Sequence, residues 1–305
     1  MKRAATVLGV LAVAAFAVAQ QQTSGQAKQP AAATQPGAPT TPPGKRPPQA
    51  KTQPEFDAYN AAIANQKDPV AMEKAADDFA TKFPDSELRV LLFKAAMRAY
   101  QNANNGDKML EEAQKLLKLD PDDPEALIAS AEVTTERTRD TDLDKDQRFA
   151  KASKDAQHAL ETIDTDVPMP ANIPQAQMDA YKGLLRSSAY SILGTIQYDQ
   201  DKYADAEGYF RKSIDAYPSQ PDPVVVLRLA LALDKQAKYQ DALAQANKAV
   251  DLTQEGTNAG STARHERDRL MQLTGATIPQ VSSPAPAPAP ASKPPDSAAP
   301  NTTPH

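Results

Sequence analysis

From residue 54 to residue 276 apolar side chains return every three or four positions, the spacing that makes one face of an α-helix oily and leaves the rest polar. The pattern predicts helices over 55–66, 69–83, 87–103, 107–118, 124–136, 146–162, 174–199, 202–216, 223–236, 239–252 and 261–273. Three of them start on Asp-Pro pairs: Asp68-Pro69, Asp123-Pro124 and Asp222-Pro223. In each, a short carboxylate can accept from the free amides of the first turn, and the proline's fixed φ suits that turn. Pro84, Pro121 and Pro218 follow the ends of long apolar-periodic runs and stop them. No segment alternates with period two over the length of a strand, so the expectation is an all-α chain.

Two stretches repeat one frame. In YSILGTIQYDQDKYADAEGYFRKSIDAYP (190–218), Tyr190, Leu193, Gly194, Tyr203, Ala206, Phe210 and Pro218 stand at intervals that recur downstream, with Ser213 where a further small residue belongs. The next copy supplies Leu229, Ala230, Tyr239, Ala242, Ala246 and Ala249, and Ala230 follows Gly194 by 36 residues. Two antiparallel helices joined by a tight turn approach most closely at a few points, and only Gly, Ala or Ser lets the backbones close there. Gly194 with Ala206, and Ala230 with Ala242, occupy those points. The frame resembles the tetratricopeptide repeat, a 34-residue helix–turn–helix unit. The resemblance implies a right-handed solenoid of about five such pairs plus a C-terminal capping helix, and a protein or peptide as partner.

Earlier segments follow the frame more loosely. Residues 93–121 align through Phe93, Tyr100, Ala113 and Pro121, and residues 124–162 pair Leu127 and Ala131 with Ala152, Ala156 and Ala159 across a lengthened turn. Residues 55–84 form a degenerate first pair ending in KFPDSE. That ending resembles repeats of bacterial envelope proteins, including outer-membrane assembly lipoproteins, although this chain has no cysteine to carry a lipid. The helix at 174–199 is longer than a repeat helix, so its first half either projects beyond the stack or covers the 163–173 loop. Residues 261–275 are amphipathic and suit a terminal cap, because a stack of repeats ends on one open apolar face.

The chain ends differ in composition. Lys2 and Arg3 precede an apolar run from Ala4 to Val18, and Ala17-Val18-Ala19 offers a small-residue cleavage site. Residues 1–19 therefore read as a signal peptide cleaved after Ala19, and the expected location is periplasmic or secreted. Residues 20–53 hold seven prolines and residues 277–305 nine, including Pro-Ala alternation over 284–291. Both segments bury too little apolar surface to offset chain entropy, and they read as a disordered linker and tail around a repeat domain at 54–276. The first 53 residues carry six basic groups and no acidic one, so a formal net charge of −5 leaves −11 on residues 54–276. An acidic domain argues against nucleic acid, which demands a basic face. Once the leader is removed, no stable membrane insertion is expected.

Candidate chemistry is sparse. Without cysteine there is no disulfide, thiolate metal site or cysteine nucleophile, and His158, His265 and His305 are the only imidazoles. Asp140, Asp142, Asp144 and Asp146 alternate like calcium-loop ligands, yet Lys145 or Gln147 replaces the loop's glycine and Lys151 or Ser153 its terminal glutamate. The run reads better as an acidic turn before a helix. No nucleophile elbow, glycine-rich phosphate loop or His-Glu-x-x-His pair occurs. The expectation is a non-enzymatic protein with no catalytic residue, cofactor or metal.

In a tetratricopeptide stack the first helix of each pair lines the concave face. Carried onto this sequence, the resemblance places Ser188, Ser191, Thr195 and Tyr198 there, then Val224, Leu227, Leu231 and Asp234, and Ile128, Glu132 and Thr135 from the pair at 124–162. Leu227 and Leu231 stand one turn apart and would offer an apolar groove to a ligand segment, unless they pack beneath the 261–273 helix or the tail. The family's Asn- and Lys-rich clamp for a C-terminal carboxylate is missing. Two functions fit: an interaction scaffold of the envelope or secreted space that holds a segment on the concave face, or a structural tether acting through its proline-rich ends.

Overall fold

Polar punctuation and apolar stripes resolve into eleven helices among the described residues, 45–168 and 173–276 of the computed structural model. They are α1 (Gln53–Ile63), α2 (Pro69–Lys82), α3 (Arg89–Asn102), α4 (Gly106–Leu119), α5 (Pro124–Arg137), α6 (Lys145–Asp166), α7 (Gln175–Asp199), α8 (Tyr203–Ala216), α9 (Pro223–Lys235), α10 (Tyr239–Leu252) and α11 (Asn258–Thr274). No strand occurs among these residues. The Asp-Pro pairs start helices as their chemistry requires. Asp68 Oδ1 accepts from the amides of Val70 and Ala71 at 3.0 and 3.1 Å, Asp123 from Ala126 at 3.0 Å, and Asp222 from Val224 at 2.8 Å.

Helices pack as five consecutive antiparallel pairs, each laid against the next, with α11 closing the end against α10 and α9. The turn inside three pairs has the same construction. Asn104, Asp201 and Ala237 sit in the left-handed region at φ 55°, 58° and 56°. The amide of the following residue, in Asn105, Lys202 and Lys238, donates back to Tyr100, Gln197 and Leu233. This is a Schellman closure, which satisfies carbonyls that the helix end leaves free. The pair α5/α6 instead carries the long acidic turn, 138–144.

The interior forms contiguous apolar clusters along the stack. Phe79, Leu92 and Leu116 anchor the first, Phe149, Ile163, Leu193 and Ile196 the second, and Phe210, Leu229, Leu233 and Leu270 the third. Gly194 shows why the frame demands small residues: a Cβ there would lie 2.6 Å from ring carbons of the wholly buried Phe210. Leu193, Ala206, Leu229, Ala230, Ala242 and Ala249 are buried likewise. The tyrosines of the frame lie at its edge. Tyr190 packs on Tyr209 with ring centres 6.4 Å apart, Tyr203 bonds Asp201, and Tyr239 and Pro218 are exposed.

Two expectations change and one alternative is resolved. The linker assigned to 20–53 does not extend to 53, because residues 45–52 lie against the domain. Lys45 pairs with Asp120 at 2.6 Å and its amide donates to Thr165; Arg46 grips Glu87 at 2.6 and 2.9 Å; Lys51 donates to the Asp85 carbonyl. These basic residues meet acidic ends of helices and loops in the same chain. Helix α6 runs four residues further than its periodicity indicated, and α11 starts at Asn258, where the Thr257 hydroxyl accepts from the Gly260 amide at 3.0 Å. Of the two placements expected for the first half of α7, the structure shows it laid against the end of α6: Lys182 and Arg186 bind Asp164, and Met178 shares an apolar cluster with Val167. The expected signal peptide, residues 20–44 and the tail 277–305 lie outside the described residues.

Candidate functional site

The first helices of three successive pairs, α5, α7 and α9, contribute the residues of the expected groove, and three different environments follow along the face they share with α3. At the N-terminal end a buried charge cluster ties α3, α5 and α7 together. Lys94 Nζ lies 2.5 Å from Asp123 and 3.2 Å from Glu125, while Arg98 clasps Glu125 with two bonds of 2.7 and 2.8 Å and reaches the Tyr181 hydroxyl at 3.3 Å. Burial alone would raise the Glu125 pKa, but Arg98 and Lys94 outweigh it and hold it at about 2. Every charge here has a partner, so the cluster positions helices and leaves nothing for a ligand. Ile128, expected in the groove, is buried in the second apolar cluster at 7% exposure.

At the C-terminal end α11 has taken the place a ligand would need. Leu227 is only 5% exposed and packs in a cluster with Val226, Ala249 and Ala263; Leu231 lies half-buried against the same cluster. The apolar pair therefore serves the cap and is not an open apolar groove. Asp234 pairs with Arg269 of α11 at 2.5 Å, and Tyr198 packs edge-on against Tyr203 at 5.3 Å beside the third cluster. Helical periodicity marks Leu227 as apolar without saying what covers it.

Between these ends the face stays open. Ser188, Ser191 and Thr195 on α7 are half-buried, as is Glu132 on α5, whereas Thr135 is buried and bonds the Ala131 carbonyl. Thr195 Oγ1 accepts from Arg228 Nη1 of α9 at 3.0 Å and donates to the Ser191 carbonyl at 2.8 Å. Glu132 and Glu136 stand one turn apart on α5, Glu132 half-buried and Glu136 exposed. Among the described residues neither carboxylate makes a hydrogen bond or ion pair. Glu132 keeps some surface, yet the groove walls replace much of the water around it. Desolvation pushes its pKa up to about 7, with Glu136 and Asp222 adding to the rise and Arg228 opposing it. Burial also raises Glu136, against Arg228 and Arg137. Glu136 and Arg228, whose charges act on Glu132, were missed in the sequence because they lie beside the frame's four inner positions.

The other candidates are ordinary surface groups. In the acidic turn, Asp140 pairs with Lys145, Asp144 with Arg148, and Asp142 accepts from the Arg139 amide. His158 bonds Asp122 at 2.7 Å, His265 is exposed, and His305 lies outside the described residues. Among the described residues no three His, Asp or Glu side chains are grouped to hold a metal ion, and no helix is long and apolar enough to cross a membrane.

No family model matches the chain, and no curated protein matches it by sequence. Solved structures do resemble it. The pilF protein of Pseudomonas aeruginosa aligns over 74% of this chain and 96% of its own, at 18% identity and a TM-score of 0.48. MamA aligns over 66% and 93% at 14% identity and a TM-score of 0.45. A thermophilic tetratricopeptide protein of Thermus thermophilus aligns over 72% and 100% at 14% identity and a TM-score of 0.41. The likeness adds nothing to the geometry already described, and no partner or activity is carried across from it.

Proposed function

We propose that this protein is a non-enzymatic scaffold of the cell envelope or secreted space that holds a peptide or protein segment on the concave face of its helical stack. The reading is carried by the middle of that face, where Ser191, Thr195 and Glu132 stay half-exposed and Glu136 exposed, while α11 closes the end beyond it. Localisation rests on the leader sequence, with cleavage after Ala19. The alternative, a tether working through its proline-rich ends, places association outside the groove.

Site-specific photo-crosslinking separates the two. A benzoylphenylalanine at Ser191 should capture a discrete partner that the same group at Gly208, exposed on α8, does not, and capture should survive deletion of residues 277–305. Equal capture from both positions, or loss with the tail, refutes the scaffold in favour of the tether. Intact mass of the exported protein tests the leader: a chain beginning at Met1 refutes cleavage.

A further inference from the structure

Residues 45–52 cross the edge of the stack where the second helices of the first three pairs end. Lys51 Nζ donates to the Asp85 carbonyl, just past α2, at 2.7 Å, and Arg46 grips Glu87 before α3. Lys45 Nζ lies 2.6 Å from both oxygens of Asp120, which ends α4, and 3.4 Å from Asp166, the last residue of α6. Carbonyls left free at a helix end carry partial negative charge, so the dipoles and the carboxylates draw the same cations. Between these pinned points the segment is thinly packed. Ala50 rests on the first apolar cluster, but a cleft of about 440 Å³ opens between the segment and Ser86, Arg89, Val90 and Leu119. Arg46 keeps 64% of its side chain exposed and Glu87 40%. Ion pairs this open are weak singly and are screened by salt. Against them stands the entropy of ordering the segment, which Pro47 and Pro48 lessen by restricting the free chain. Neither proline has an amide to satisfy, so the crossing strands no donor there. Held by charge across an open cleft, the segment is built to come off.

We propose that residues 45–52 form a releasable ionic clasp that ties the first three helix pairs together and sets the reach of the chain upstream of it. Docked, the clasp fixes the exit of that upstream chain beside Thr165, whose carbonyl accepts from the Lys45 amide at 2.8 Å. Released, the exit moves back to the start of α1, and the freed segment, fully extended, adds up to about 26 Å of reach. Its ties fall on different pairs. Asp85 and Glu87 lie where the first pair joins the second, Asp120 closes the second, and Thr165 and Asp166 end the third. Rising ionic strength is the trigger, because screening weakens the Lys45 and Arg46 pairs and leaves the apolar clusters of the stack intact. The clasp sits at the edge of the stack and works whatever the concave face holds.

Limited trypsin digestion of the full chain, read by intact mass, reports the clasp directly. Lys45 and Lys51 are cleavage sites inside it, while Pro47 shields Arg46. Rates are scaled to a synthetic peptide of residues 40–56 digested in the same buffer. Cleavage after Lys45 and Lys51 should be slow at about 20 mM salt and at least about tenfold faster at about 0.5 M. Glu87→Gln/Asp120→Asn should be cut fast at both. Lys45→Met/Arg46→Met, which leaves residues 54–276 unaltered, should expose Lys51 in the same way and serves if circular dichroism shows the first variant unfolded. In that second variant hydrogen exchange should rise together at 84–88, 119–121 and 164–167, with α9 to α11 unchanged. Protection that salt does not weaken makes the segment a fixed part of the fold and overturns release. Wild type cut as fast as the free peptide at low salt overturns docking, and variants cut like wild type overturn the ion pairs as the tie. Exchange that rises at one end only, or at none, overturns the coupling of three pairs. Protection that falls on dilution would seat the segment on a second copy and overturn a clasp within one chain.

Discussion

Glu112 is a carboxylate in the wrong medium, and replacing it should stabilise the protein. It lies on α4 with none of its side chain exposed, and neither oxygen makes a hydrogen bond. Lys115 Nζ is 2.8 Å from Oε1, but its hydrogen bonds go to Asp77 at 2.8 and 2.9 Å. Burial raises the Glu112 pKa above its ordinary 4.5, and the charges of Asp77 and Glu73 add to the rise against Lys115. A buried polar group left unsatisfied costs about 1–3 kcal/mol. Methionine has similar reach and bulk without the charge, so Glu112→Met should gain about that much at pH 7. For a folded region of this size each kcal/mol moves the melting temperature by about 2–4 °C. The pH dependence gives a sharper test. Because the folded-state pKa is raised, Glu112 is tolerated in its neutral form below the unfolded value, and stability is lost as pH climbs from about 4.5 through the folded value. The advantage of the variant should therefore be small at pH 4 and grow toward pH 7. Scanning calorimetry at those two pH values decides it. A variant that melts below wild type at pH 7, or whose advantage ignores pH, refutes the claim that this carboxylate is buried without adequate compensation.

Lys94→Met should cost about 3–5 kcal/mol, since it strands Asp123 and part of Glu125 in a buried site; chemical denaturation reads the loss, and a change under 1 kcal/mol would show the cluster to be hydrated. Gly194→Ala should destabilise despite gaining about 1 kcal/mol of helix propensity, because a Cβ 2.6 Å from the Phe210 ring brings an overpacking cost of about 1–3 kcal/mol. An unchanged or higher melting temperature would mean that Phe210 can yield. Ala237→Gly should raise stability by about 0.5–1 kcal/mol, as alanine at φ 56° carries a left-handed penalty that glycine escapes. Thermal melting below wild type would contradict it.

Where an element begins and ends was legible in the chain because those signals are local. A capping carboxylate acts on amides two or three residues away, and a proline blocks the turn in which it stands, so Asp68, Asp123 and Asp222 announced their helices without any tertiary information. The pairing of helices was legible for a similar reason: Gly194, Ala206, Ala230 and Ala242 are small where two neighbouring backbones must meet, and neighbours in sequence are neighbours in the stack. What each apolar stripe covers was not legible. Leu227 and Leu231 carry the same periodicity whether they meet a ligand or α11, and only packing showed the cap seated on them. Glu132 was placed on the inner face from the sequence, but the charges that act on it were hidden, since Arg228 and Asp222 lie about 90 residues away. Lys45 meets Asp120 across 75 residues, and Arg98 meets Tyr181 across 83. Such contacts leave no periodic trace, because periodicity records which side of a helix turns away from water, while the identity of the facing group depends on how the whole stack closes.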